Sequence, residues 1–157
     1  MEHASEMVAA LAPQDLYRFT GGEPPTLEEL EKRYRRQSRG QSEDGRAGWS
    51  NWIIRPVAGG AAVGFVQATL TQDGPDLVAD LAWVVTPSEQ GRGVASEAAA
   101  AVVTWLSLNG VGRLQASIHP DNTASERVAR RLGLAPTSVL VDDEVVWGAD
   151  VGAAAEQ

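Results

Sequence analysis

Apolar residues recur along this chain with two periods, and each change of period marks a new element. Ala4, Met7, Val8 and Leu11 fall at helical spacing and Pro13 ends the run, which predicts a first helix over residues 2–12. The stretch "YRFTGGEPPT", residues 17–26, is punctuated by Gly-Gly and Pro-Pro and reads as a loop. Thr26 and Glu29 have the spacing of a capping box, opening a second helix to about Gln37. After the polar connector "GQSEDGRAG", the segments "WSNWIIRPV" and "AAVGFVQATLTQ" are strand-like, with "AGG" between them as a hairpin turn. Residues 77–85, "LVADLAWVV", predict a third, mostly buried strand. Gly93 to Leu108 returns to helical spacing, with Val94, Ala98, Val102 and Trp105 on one side and Asn109-Gly110 as a left-handed stop. "RLQASI" follows as a strand, and "NTASERVARRLG" as a helix capped by Asn122 or Asp121 and closed by Gly133. "TSVLV", "DDE" and "VVW" form a last antiparallel hairpin.

Helices, antiparallel strands, then strand-helix-strand-helix imply a mixed α/β (α+β) sheet with one parallel crossover. A length of 157 residues suits one domain, placed at 1–148, with 149–157 as a flexible C-terminal tail. Composition then removes whole classes of function. With no cysteine and only His3 and His119, thiolate chemistry is excluded and no metal site is expected. A net charge of -8 argues against nucleic acid as a partner. No apolar run approaches the roughly 20 residues of a membrane span. Glu2, Glu6 and Asp15 stand where a signal peptide needs basic and apolar residues, so a cytoplasmic protein is expected. Lys32, Arg33, Arg35, Arg36 and Arg39 form a basic patch in this acidic chain and read as the solvated face of the second helix.

The candidate chemistry starts at "TPSEQGRGVASEAAAAV", residues 86–102. Here a strand ends, Gln90-Gly91-Arg92-Gly93 makes a turn, and Val94-Ala95-Ser96 begins a helix. Helix starts carry unpaired N–H groups and favour anions, and the glycines let a ligand approach the backbone. Arg92 can add a charge-assisted contact. By itself the pattern reads equally as a phosphate cradle or a flexible turn. It is neither of two familiar nucleotide loops: there is no Gly-Lys-Ser/Thr, and the third glycine of a dinucleotide loop is replaced by Ser96.

Taken together and in order, "LAWVV", "EQGRGVASEA", "LQASIHP" and "DNTASERVARRLGL" resemble the GNAT superfamily of acyl-CoA-dependent N-acetyltransferases, most closely over residues 79–135. Within that superfamily the chain is similar to the RimJ/RimL-type, ribosomal-protein-acetylating branch, as is "YRFTGGEPPTLEEL". The resemblance implies a twisted, mostly antiparallel sheet flanked by helices, with its parallel crossover at the CoA site. It implies acetyl-CoA as cosubstrate, its pyrophosphate on the amides of Gln90, Gly91, Arg92, Gly93, Val94, Ala95 and Ser96. Its pantetheine arm would lie beside Trp83, Val84 and Val85 and face Asn122 and Ser125. The implied reaction is acetyl transfer to a primary amine, a protein N-terminus or a small amine, by direct attack in a ternary complex. The other reading is a catalytically weak acyl-CoA sensor or interaction protein on the same scaffold.

Such a transfer needs help for an oxyanion, a base for the amine and a proton for the thiolate. Ser125 is the candidate acid, or else a serine bonded to a carbonyl one turn back. Asp80 stands where related proteins often carry a glutamate and is the candidate base, and Gln67 would orient the amine. His119 has a suitable pKa class, but its position at a strand end before Pro120 reads first as that of a structural residue. Phe19, Thr20 and Gly21, with the last hairpin, are expected along the acceptor groove. Asp142, Asp143 and Glu144 would favour a cationic amine there or else form a solvated turn. Relatives usually begin with a further strand ahead of the first helix, which is missing from this chain, so "WSNWIIRPV" is expected at an exposed edge, in a monomer or a homodimer.

Overall fold

The computed structural model describes residues 3–151. Helices α1 (Ala4–Ala10) and α2 (Leu27–Gln37) precede strands β1 (Ala47–Ile54), β2 (Gly64–Asp73) and β3 (Asp76–Val85). Then come α3 (Val94–Leu108), β4 (Arg113–Ile118), α4 (Thr123–Arg131), β5 (Ala135–Val141) and β6 (Glu144–Asp150). The six strands form one sheet in the order β1-β2-β3-β4-β6-β5, antiparallel except between β3 and β4. This is the mixed sheet with one parallel crossover that the pattern implies. Among the described residues no helix is long and apolar enough to cross a membrane.

Strand alternation sends successive side chains to opposite faces. On one face Val66, Ala68, Ala79, Leu81 and Leu114 pack with Ala99, Val102 and Leu106 of α3 and with Val128 and Ala129 of α4. On the other, Ile53, Phe65 and Val84 meet Ala4 and Met7 of α1 and Leu30 of α2. The capping box of α2 is formed: Glu29 N–H donates to Thr26 Oγ1 at 3.2 Å, and Thr26 N–H to Glu29 Oε2 at 3.0 Å. The expected first hairpin pairs Ala47 with Thr71 through to Ile54 with Gly64. A Cβ at Gly64 would lie 2.0 Å from the Val84 carbonyl oxygen, so only glycine permits this approach to the end of β3.

The structure differs from two of the expectations, the buried face of α3 and the end of β6. The buried row of α3 is Ala99, Val102 and Leu106, whereas Trp105 stays 45% exposed, edge-on to Trp52 at 5.5 Å. The small Ala68 and Ala79 beneath α3 allow a close approach that an indole in the row would prevent. β6 continues through Asp150, beyond the expected boundary at 148, because Ala149 pairs with Leu114 and Asp150 with Arg113. Residues 152–157 of the expected tail lie outside the described residues. β1 forms an edge of the sheet, as expected. The chain before it folds back along the start of that edge: Trp49 N–H donates to Gly40 O and Ser42 N–H to Ala47 O, each at 2.8 Å.

Candidate functional site

The parallel strands β3 and β4 pair only from Val78–Arg113 to Asp80–Gln115, after which β3 continues five residues to Val85 without β4 beside it. Where the ladder opens there is a cleft of about 400 Å³. Trp83, Val84 and Val85 supply one wall, and Asn122, Ser125 and Val128 of α4 another. Gln90, Gly91 and Gly93, with Val94, Ala95 and Ser96 of α3, lie at its end. Phe19 and Thr20, from the loop between α1 and α2, reach the same cleft.

The turn at its end is shaped for close contact with a ligand. Gly91 and Gly93 have φ of +77° and +79°, in the left-handed region that side chains disfavour. Gln90 Nε2 donates to Val85 O at 2.8 Å and ties the turn to β3. Helix α2 is capped by Thr26 and α4 by Asn122, but α3 starts at Gly93 with no side-chain cap. Its first N–H groups are therefore unmet by any side chain, at the positive end of a 15-residue helix.

Arg92 is the one loop residue that does not line this cleft: its side chain is 69% exposed, 3.4 Å from Glu89. The cations that do line the cleft are Arg127 and Arg131, one helical turn apart on α4. Arg131 Nη1 donates to Ser96 Oγ at 3.4 Å. Sequence reasoning missed both, although their i, i+4 spacing in "RVARR" is visible once Ser125 is placed on the inner side of that helix.

Asn122 Oδ1 accepts the Ser125 N–H at 3.2 Å, so the asparagine caps α4 at the cleft wall. The Ser125 hydroxyl is half-buried and makes no hydrogen bond to a carbonyl one turn back among the described residues.

Asp80 and Gln67 lie outside the cleft, on the opposite face of the sheet. Burial pushes the Asp80 carboxyl above the usual carboxylate range, with a Gln115 hydrogen bond working against it. Glu144 is raised too, first by burial, with His119 opposing and the negative charges of Asp142 and Asp80 adding to the rise. Asp142 and Asp143 form the exposed two-residue turn with φ of 49° and 65°, and Glu144 follows them at the start of β6. The His119 ring stands 5.4 Å from that of Phe19, which links this face to the mouth of the cleft. Gly21 is exposed with φ of +75°, its N–H donating to Tyr17 O at 2.8 Å; it shapes the loop and lines neither cavity. Gln67 lines a second cavity beneath α2.

Residues 1–135 match the family model described as an acetyltransferase (GNAT) domain. A segment of 92 residues, 56% of this chain, is 38% identical to the L-2,4-diaminobutyric acid acetyltransferase of Nocardia farcinica and spans 48% of that protein. Another 92-residue match, over 54% of this chain, is 30% identical to the aminoglycoside N(6')-acetyltransferase type 1 of Salmonella typhimurium and spans 63% of it. The chain thus matches about half to under two thirds of the length of these relatives. Among solved structures, the aminoglycoside acetyltransferase AAC(6')-Ib in complex with coenzyme A superposes with a TM-score of 0.78 at 17% identity, over 99% of this chain and 92% of that one. The spermidine N-acetyltransferase of Vibrio cholerae, in complex with CoA and spermine, superposes with a TM-score of 0.75 at 13% identity, over 98% and 93%. At these identities the structural likeness concerns the fold.

Proposed function

Because the chain belongs to the GNAT acetyltransferase family, we propose that it is an acetyl-CoA-dependent N-acetyltransferase acting on a primary amine. The observation that carries this reading is the uncapped start of α3, set behind two left-handed glycines at the opening between β3 and β4. The pyrophosphate fits there, on the amides from Gln90 to Ser96, with Arg127 and Arg131 as its counter-charges. The free backbone beside Trp83, Val84 and Val85 suits an extended, amide-bearing arm, with Asn122 and Ser125 facing it. Arg92 is left to pair with Glu89.

Acetyl-CoA supplies the thioester. In the transfer a neutral amine adds its lone pair to the carbonyl carbon; the C–N bond forms, the C–S bond breaks with its electrons going to sulfur, and one proton passes from nitrogen to the thiolate side. Backbone N–H groups of the Val84–Val85 region stabilise the oxyanion. Asp80, directly or through water, takes the amine proton, and the unengaged Ser125 hydroxyl gives one to sulfur. Glu144, at the start of β6 on the same face of the sheet, adds negative charge that favours a cationic amine. The named relatives act on diaminobutyrate and aminoglycosides, which favours a small amine over the protein N-terminus suggested by the RimJ/RimL-type resemblance.

Release of free CoA across a panel of small amines tests the reading. Turnover is expected with the wild type and none with Gly93→Glu, which forces a side chain into a left-handed position and sets a negative charge against the pyrophosphate. A folded wild type that binds acetyl-CoA yet releases no CoA with any amine would leave only the sensor reading.

A further inference from the structure

The second cavity, of about 240 Å³, lies beneath α2, on the sheet face opposite α3 and α4. β1 contributes Trp49 and Asn51 to its floor and β2 contributes Phe65 and Gln67; Arg33 and Tyr34 of α2 overhang it. The protein has 21 acidic residues and a net charge of -8, yet no carboxylate lines this cavity. Its permanent charge is Arg33, which makes no ion pair among the described residues. Arg33 lines the cavity next to Tyr34; burial raises the Tyr17 and Tyr34 hydroxyls while the Arg33 charge opposes that rise at both. His3, at another corner, receives a hydrogen bond from Arg55 at 3.0 Å, and Arg55 pairs with Glu6, so that corner is already neutralised.

The cavity leads toward Asp80. Gln67 sits opposite Ala82, two residues from Asp80 along β3, and the two side chains share one face as diagonal neighbours about 7–8 Å apart. Ala82, opposite Gln67, is exposed, so the floor runs open from the cavity toward Asp80. One end of this path presents the Asp80 carboxylate and the other a guanidinium, with aromatic and carboxamide walls between. A polycation would meet Arg33 with like charge; a molecule with an amine at one end and a carboxylate at the other matches both ends.

Building on the acetyl-transfer reading above, we infer that the acceptor is a compact aminocarboxylic acid whose reacting amine lies at Asp80 and whose carboxylate is held by Arg33 in the cavity beneath α2. Its apolar or hydrogen-bonding body rests on Trp49, Phe65, Asn51 and Gln67. The volume lies below the ~300–1,000 Å³ of drug-sized pockets, which suits one small molecule.

CoA release should be followed with aminocarboxylic acids of graded chain length, their carboxamides, the corresponding diamines, and an aminoglycoside. The best acid should exceed its own carboxamide in kcat/KM by about tenfold or more, carried mainly by KM, as expected of one charge-assisted contact. Arg33→Ala, at an exposed helical position that tolerates alanine, should bring that ratio close to one, and Arg33→Lys should restore part of it. If diamines or the aminoglycoside are used better than every acid, or if Arg33→Ala keeps the ratio, this inference is overturned while acetyl transfer stands. If no amine of any kind releases CoA, the functional reading and this inference fall together.

Discussion

Asp80 is a carboxylate raised by burial, two residues along β3 from the exposed Ala82. A group raised in the folded state binds protons more readily there than in the unfolded chain, so its ionisation weakens stability as pH rises through that window rather than adding to it. As a base, however, it must be ionised. kcat/KM should therefore fall as pH drops through an apparent pKa above the ordinary carboxylate range. Asp80→Asn should remove that acid limb and slow transfer by about 10²-fold or more, while leaving a folded protein. An unchanged pH profile in Asp80→Asn would assign the proton to another group. At the same scale, Arg92 and Arg131 show why local sequence misleads: the arginine between the glycines projects outward, and one 39 residues later in the chain comes over the loop.

Among the elements, the end of β3 matters most, since it forms a cleft wall on one side and rests on β2 on the other. That contact depends on Gly64, where any Cβ would overlap the Val84 carbonyl. Gly64→Ala should push the two strands apart, costing about 1–3 kcal/mol in denaturant unfolding, and should weaken acetyl-CoA binding because Val84 and Val85 move with the strand. A loss of stability with unchanged binding would separate the cleft wall from this packing. Helix α3 offers a contrast with α2 and α4: the two supporting helices close their N-termini with their own side chains, whereas α3 leaves its first donors for a ligand. The price of an open helix end is recovered only when an anion binds there.

For the whole molecule, ligand binding should accordingly appear as stability. Acetyl-CoA at about 100 times its Kd should add ~2.7 kcal/mol, an upward Tm shift of roughly 5–11 °C for a chain of this size. The absence of any shift at millimolar acetyl-CoA would contradict a preformed cradle. Much of this design is legible in the residues themselves. Period, caps and glycine stops are local properties, and they mark the order of helices and strands, the capped start of α2, and the turn before α3. The family motifs around that turn are equally local, so the nature of the cleft can be read without coordinates. What cannot be read locally is which side chains distant in sequence come to face one another. The placement of Arg127 and Arg131 over the glycine turn depends on how α4 packs beside α3. The inward row of α3 depends on the alanine floor beneath it, and the meeting of Asp80 with Gln115 on the parallel register of β3 and β4. The sequence by itself determined the elements and the donor-side chemistry, because propensity and backbone geometry act over a few residues. Only the tertiary structure decided the charges that surround the two cavities, because electrostatic fields sum over groups that the fold, and not the chain order, brings close together.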